Sequence, residues 1–169
     1  ESLSSLGAEV TAIDMSEKTI SIAKNHAEKV KSKVNYINTS TEELLKLQPN
    51  SKFDVITCLE MLEHVPKPSQ TLKECSELLS DKGDLFLSTI NRNPRSYLFA
   101  IIGAEYILNL LPKGTHDYSK FIRPSELSNW IRSANLEVKE TIGLSYNPLN
   151  ETYWLGKDLG GNYLMHAKK

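Results

Sequence analysis

Phe53-Asp-Val-Ile-Thr-Cys58, followed directly by Leu59-Glu-Met-Leu-Glu-His-Val-Pro66, is the stretch on which the fold turns. Its first six residues are nearly continuous in apolar and β-branched side chains, the pattern of a strand buried on both faces of a parallel sheet. The run then changes character. Glu60, Glu63 and His64 fall at i, i+3 and i+4, so one helical turn would bring the three side chains together. Two carboxylates and an imidazole offer three ligands to a divalent cation. Oxygen ligands favour Mg²⁺ or Mn²⁺, and the imidazole keeps Zn²⁺ open. The plain alternative is a solvated turn whose glutamates face water.

Working outward, strands alternate with helices. Val10 to Asp14 reads as a short strand ending in an acid, and Ser16 caps a helix running to about Val30, with Ile20, Ala23, Ala27 and Val30 on one face. Val34 to Ile37 is a second strand, and Thr41 to Lys46 a weaker helix. Downstream of the central stretch, Ser69 to Leu79 reads as a helix with Leu72, Cys75, Leu78 and Leu79 on one side. Asp81-Lys-Gly83 reads as a turn into the strand Asp84 to Ile90. Pro124 to Ala134 is a helix with Leu127, Trp130 and Ile131 as its core face. Leu136 to Leu144 and Tyr163 to Ala167 are closing strands. The alternation predicts an α/β fold, a mostly parallel sheet covered on both faces.

Residues 91–123 form a connection about three times the usual length, and we read them as an insertion. Within it, Tyr97 to Leu111 is the most apolar run of the chain, with Glu105 and Asn109 at i and i+4 opposite a broad apolar face. Arg92, Arg95, Lys113, Lys120 and Arg123 flank it. Basic flanks around an amphipathic helix describe a segment lying on an anionic membrane surface, here about 95–123; the competing reading is a core helix over the site. Tyr153 and Trp154 fall in a polar loop that reads as a weak candidate for substrate contact.

The net charge of −1 over 169 residues gives no electrostatic case for nucleic acid. Two cysteines are too few for a disulfide framework and point to a reducing compartment. No apolar run reaches the roughly 18–20 residues that span a bilayer. The chain opens at Glu1 without Met, and Ser2, Leu3 and Leu6 read as the end of a helix closed by Gly7. The expectation is a single domain over 1–169 that has lost its N-terminal part.

In doubly wound sheets, ligands sit beyond the carboxyl ends of the strands. An acid there, Asp14, can accept from both hydroxyls of a ribose. The alternative is a capping aspartate, and the residue alone does not separate an adenosylmethionine site from a nicotinamide site.

The stretch from Phe53 to Pro66 resembles the fourth-strand motif of class I methyltransferases. With Ser88-Thr-Ile-Asn-Arg-Asn93, Gly103-Ala-Glu-Tyr-Ile-Leu108, Leu111-Pro-Lys-Gly-Thr-His-Asp117 and Gly143-Leu-Ser-Tyr-Asn-Pro-Leu149, the chain resembles the ubiquinone-biosynthesis O-methyltransferases. The resemblance implies a Rossmann-like three-layer sandwich, with a mostly parallel seven-stranded sheet whose last strand is antiparallel. It implies S-adenosylmethionine as methyl donor, a divalent cation (Mg²⁺ first), and O-methylation of 2-polyprenyl-6-hydroxyphenol and 3-demethylubiquinol. It places the cofactor at Asp14, Met15 and Leu59 and the metal at Glu60, Glu63 and His64; imidazole chemistry separately makes His64 a candidate proton acceptor, with ligand preferred because a metal-bound imidazole hardly serves as a free base. It implies a peripheral place on the inner membrane, cytoplasmic in a bacterium or on the matrix side in a mitochondrion, among other ubiquinone-biosynthesis proteins. The family's glycine-rich cofactor loop lies outside this sequence, so the chain alone is expected to be inactive. Its usual Pro-Gly-Gly turn is Asp81-Lys-Gly83 here. The alternatives are a methyltransferase for a non-prenylated small molecule, a non-catalytic assembly partner with the same fold and, third, a nicotinamide-binding domain.

Overall fold

A computed structural model describes residues 1–97, 117–147 and 150–169. They fall into two compact units, Glu1–Ser51 and Lys52–Lys169.

In the first unit a short helix α1 (Ser2–Ser5) is followed by Gly7 at φ 99°, the left-handed conformation that suits glycine after a helix end. Strand β1 (Thr11–Asp14) leads into helix α2 (Glu17–Val30). Ser16 caps α2, its hydroxyl accepting from the Thr19 amide at 3.2 Å. Ile20 and Ala27 are buried, as the 3.6-residue spacing requires, whereas Val30 at the helix end is exposed. Strand β2 (Asn35–Asn38) pairs parallel with β1, Asp14 opposite Asn38. Ser40 and Glu43 form a capping box on helix α3 (Thr41–Leu47), which buries Leu44.

The second unit is built on a five-stranded sheet of order β3-β4-β7-β5-β6. Strand β3 (Phe53–Leu59) runs parallel to β4 (Leu79–Ile90), and β7 (Asn162–Lys168) is antiparallel to β4 and to β5 (Glu137–Asn147). β3, β4 and β5 thus share one direction, and the last strand opposes them, as expected. β6 (Thr152–Gly156) pairs antiparallel with β5, Trp154 opposite Ser145 and Tyr153 opposite Tyr146. This corrects the loop expected at Tyr153 and Trp154. Both lie in a strand whose first four residues are all exposed, so no alternation marks it in the sequence. Gly143 is fixed by close approach: a Cβ there would lie 1.8 Å from the Asp158 carbonyl oxygen.

After the short helix α5 (Pro94–Ser96) comes α6 (Pro124–Ser133); both α4 (Pro68–Leu78) and α6 begin with proline, which suits the first turn because its missing N–H has no partner there. Their apolar faces close one core with the sheet, through Leu72, Cys75, Leu127, Ile131, Leu85, Leu87, Tyr163 and Met165. Lys169 donates to the carbonyls of Ser76 and Leu79 at 2.8 and 3.0 Å, satisfying oxygens that the end of α4 leaves open. β3 departs from expectation. It lies at the edge of this sheet, and Val55 and Leu59 are each half exposed while Cys58 is buried. Ile56 and Cys58 face the core, and Val55 and Leu59 fall on the alternate face of the strand. Asp81, Lys82 and Gly83, expected as a turn, lie within β4, with Lys82 at φ 71° and a register shift opposite Phe53 to Val55.

On the face opposite that core, His166 stacks on Phe86 at 4.7 Å, and its Nε2 lies 2.7 Å from Asp84. The His166 hydrogen bond, helped by the Lys168 charge, holds the Asp84 carboxyl below its ordinary 3.8. A lowered carboxyl adds stability above its unfolded value and loses it as pH falls through the folded one. Asp84→Asn is therefore expected to lower the melting temperature at pH 7. The gap to wild type should close below pH 3.8; a gap independent of pH would contradict this.

Residues 98–116, with most of the expected amphipathic segment, lie outside the described residues. Among the described residues no helix is long and apolar enough to cross a membrane.

Candidate functional site

The chain leaves β3 at Leu59 and turns sharply. Glu60 adopts φ 51°, and its amide donates to both the carbonyl and the hydroxyl of Ser88 at 3.0 Å. Leu62–His64 is a short 3-10 turn rather than the start of a helix. The i, i+3, i+4 spacing therefore does not translate into one face, because Glu60 lies before the turn in a left-handed conformation. This corrects the helical-turn geometry expected of Glu60, Glu63 and His64. Leu62 is fully buried and anchors the turn in the core, which draws Glu63 inward. The Glu63 side chain is 6% exposed and accepts from the Thr89 hydroxyl at 2.9 Å. His64 is exposed, and Glu60 is exposed with Oε2 accepting from the Asn162 amide group at 3.1 Å.

Glu63 and His64 line one side of a cavity of about 460 Å³. Val65, Pro66, Phe121, Ile122 and Trp130 make its apolar wall, and Arg92, Lys120 and Glu126 its polar rim. An ion pair joins Arg92 to Glu126, and Arg92 also donates to the Ser119 carbonyl at 3.2 Å. Glu126 in turn accepts from the Arg123 amide at 3.0 Å, so the same carboxylate caps α6 and holds the far rim. The hollow opens to solvent and is lined by apolar and charged side chains together.

Burial, aided by the negative charge of Glu63, pushes the Cys58 thiol up to about 12. Cys75 is likewise pushed up to about 12 by burial. Neither is a nucleophile at neutral pH, because the thiolate is the reactive form. Burial also raises Tyr163, whose hydroxyl donates to the Ile122 carbonyl at 3.0 Å and ties β7 to the cavity wall.

In the first unit Asp14 ends β1 with an exposed carboxylate, one oxygen of which accepts from the Ser16 amide at 2.6 Å. Met15 beside it is exposed. In the second unit Leu59 ends β3 half exposed. The exposed carboxylate of Asp14 can accept from hydroxyls, as the ribose of a nucleoside requires. The metal set fits less well. Among the described residues no group of three His, Cys, Asp or Glu side chains converges closely enough to hold an ion.

Sequence reasoning found Glu63 and His64 but missed Thr89, Ser88 and Asn162. Ser88 and Thr89 sit inside a quoted family motif, and the signal was a hydroxyl pair at the end of an otherwise apolar strand. Trp130, read as core, packs against the core and also faces the cavity.

Residues 1–141 match the family described as "Methyltransferase domain". The ubiquinone biosynthesis O-methyltransferase of Saccharophagus degradans is 54% identical over 170 residues, covering 100% of this chain and 72% of its own length. The protein of that name from Dechloromonas aromatica is 56% identical over 167 residues, covering 99% and 72%. That from Pseudomonas aeruginosa is 52% identical, covering 100% and 72%. Among solved structures, magnesium protoporphyrin IX methyltransferase from Synechocystis with bound SAH superposes with a TM-score of 0.71 at 17% identity, over 99% of this chain and 67% of that one. At that identity the likeness shows the fold alone.

Proposed function

Because the chain belongs to the ubiquinone biosynthesis O-methyltransferases, within the methyltransferase-domain family, we propose that it moves a methyl group from S-adenosylmethionine to a ring hydroxyl of a polyprenylated phenol. More than half of its residues are identical to those of enzymes of that name over the whole chain, and this single observation carries the proposal.

When bound, S-adenosylmethionine supplies an electrophilic methyl on a sulfonium. The protein's task is then to align oxygen, carbon and sulfur and to ease the hydroxyl proton away. A phenol titrates near 10, so a proton acceptor is needed at neutral pH. His64 is exposed on the cavity rim, and imidazole is the side chain that exchanges protons in this range. Val65, Pro66 and Trp130 offer an apolar seat for the ring, and Asp14 offers its carboxylate to the cofactor's ribose, with Met15 and Leu59 as apolar contacts.

A divalent cation, which the family resemblance implies, would be held by Glu60, Glu63 and His64. Membrane attachment through about 95–123 rests on the sequence pattern alone. Flotation with anionic liposomes checks it, and a deletion of Ser96 to Leu111 that still floats removes the role from this segment.

The test of the whole proposal is transfer of labelled methyl by the full-length protein to a polyprenyl catechol. Asp14→Ala is expected to raise KM for S-adenosylmethionine roughly 10-fold to 100-fold, the cost of losing charged hydrogen bonds to hydroxyls. No transfer to the prenylated phenol would overturn the proposal. Equal rates on a tail-less catechol would favour a non-prenylated substrate.

A further inference from the structure

We propose that Thr89, Ser88 and Asn162 are positioning residues that aim the two glutamates beside His64, with Thr89 acting through Glu63 as the one on which turnover depends most; the inference rests on the methyltransfer reading above.

A carboxylate as buried as Glu63 persists only when hydrogen-bonded. Its recorded donor, the Thr89 hydroxyl, is itself fully buried. Alternation along β4 sends Leu85 and Leu87 into the core and would send an apolar residue in at position 89 as well. Threonine there interrupts the apolar row, and its one O–H is spent on Glu63 Oε2. The same register serves Glu60 from two sides. Ser88 fixes its backbone through two acceptors to one amide, in a conformation that non-glycine residues disfavour. Asn162, opposite Ile90 on β7, donates to its carboxylate. Both glutamates are thus oriented by groups seated in neighbouring strands, and rigid strands hold a functional group more closely than a loop does. Glu63 and His64 share one cavity wall, so a shift of the first changes the field at the second.

Thr89→Val keeps the shape and removes the hydroxyl, and Thr89→Ser keeps the hydroxyl. In the full-length protein with S-adenosylmethionine and a polyprenyl catechol, Thr89→Val is expected to lower kcat roughly 10-fold to 100-fold. KM for S-adenosylmethionine should stay within about twofold. Thr89→Ser should restore most of the rate, and Thr89→Val added to Glu63→Gln should cost nothing more, the non-additivity of residues acting as a unit. A folded Thr89→Val with wild-type kcat overturns the inference, and so does an equal loss in the Glu63→Gln background. Should Thr89→Val fail to fold, Asn162→Ala at its half-buried site carries the same expectation through Glu60, and an unchanged kcat there overturns it. If the wild type transfers no methyl at all, the function has failed separately. The crystal structure of Thr89→Val then decides: a displaced Glu63 carboxylate supports the inference, and an unmoved one overturns it.

Discussion

His64→Ala in the full-length protein is expected to lower kcat for methylation of a polyprenyl catechol by about 100-fold or more, the usual span for loss of a positioned proton acceptor. The imidazole stands beside the cavity, one residue beyond the buried Glu63, and the His64 backbone N–H donates a hydrogen bond to the Met61 carbonyl at 2.9 Å. Its removal leaves the core turn intact, since Leu62 and not His64 anchors it. The loss should therefore appear in turnover rather than in melting. Two rescues separate the two roles that the side chain can hold. Recovery with added imidazole or at higher pH identifies a base. Recovery with excess Mg²⁺ identifies a ligand, as the family resemblance prefers. Full activity in His64→Ala, and likewise in Glu60→Ala and Glu63→Ala, would remove this turn from the chemistry.

The second large effect concerns stability. Leu127 on α6 is fully buried against the cluster that joins α6, α4 and the sheet. Leu127→Ala removes buried methyl groups and leaves a hole that rigid neighbours fill poorly, so the expected cost is about 2–5 kcal/mol. That is a large share of the about 5–15 kcal/mol that holds a domain together. Urea unfolding checks it, as a lowered midpoint with an unchanged slope. Leu155→Ala, on the exposed strand β6, is the control and should stay within about 0.5 kcal/mol of wild type. Equal effects at the two positions would contradict the packing described for α6.

Local chemistry explains which elements were legible in the sequence. Ser16, the Ser40 and Glu43 pair, Pro68 and Pro124 each settle a helix start by satisfying or omitting a backbone donor, and such interactions reach only three residues along the chain. The apolar stripe Leu72, Cys75, Leu78 found its core because its period is that of the helix it forms. β6 escaped notice because Thr152, Tyr153 and Trp154 are polar or amphipathic, and their pairing partner Ser145 to Asn147 lies in a separate strand. β3 was read as doubly buried because an apolar run records which side chains tolerate burial, not what is packed against them. The site was half legible. Glu63 and His64 were visible as residue types in a pattern, and the helical turn drawn from their spacing was not formed.

By itself, the sequence determined the order of most strands and helices, the family, and the acidic and imidazole side chains that follow β3. Those depend on periods, caps and motifs carried by neighbouring residues. Only the tertiary structure decided that Glu63 turns inward to Thr89 while Glu60 is held at a left-handed φ by Ser88 and Asn162. The reason is physical: Leu62 is driven into the core, and strands β4 and β7, up to 102 residues away along the chain, present donors that meet the two carboxylates. Hydrogen bonds across such separations leave no period in a sequence.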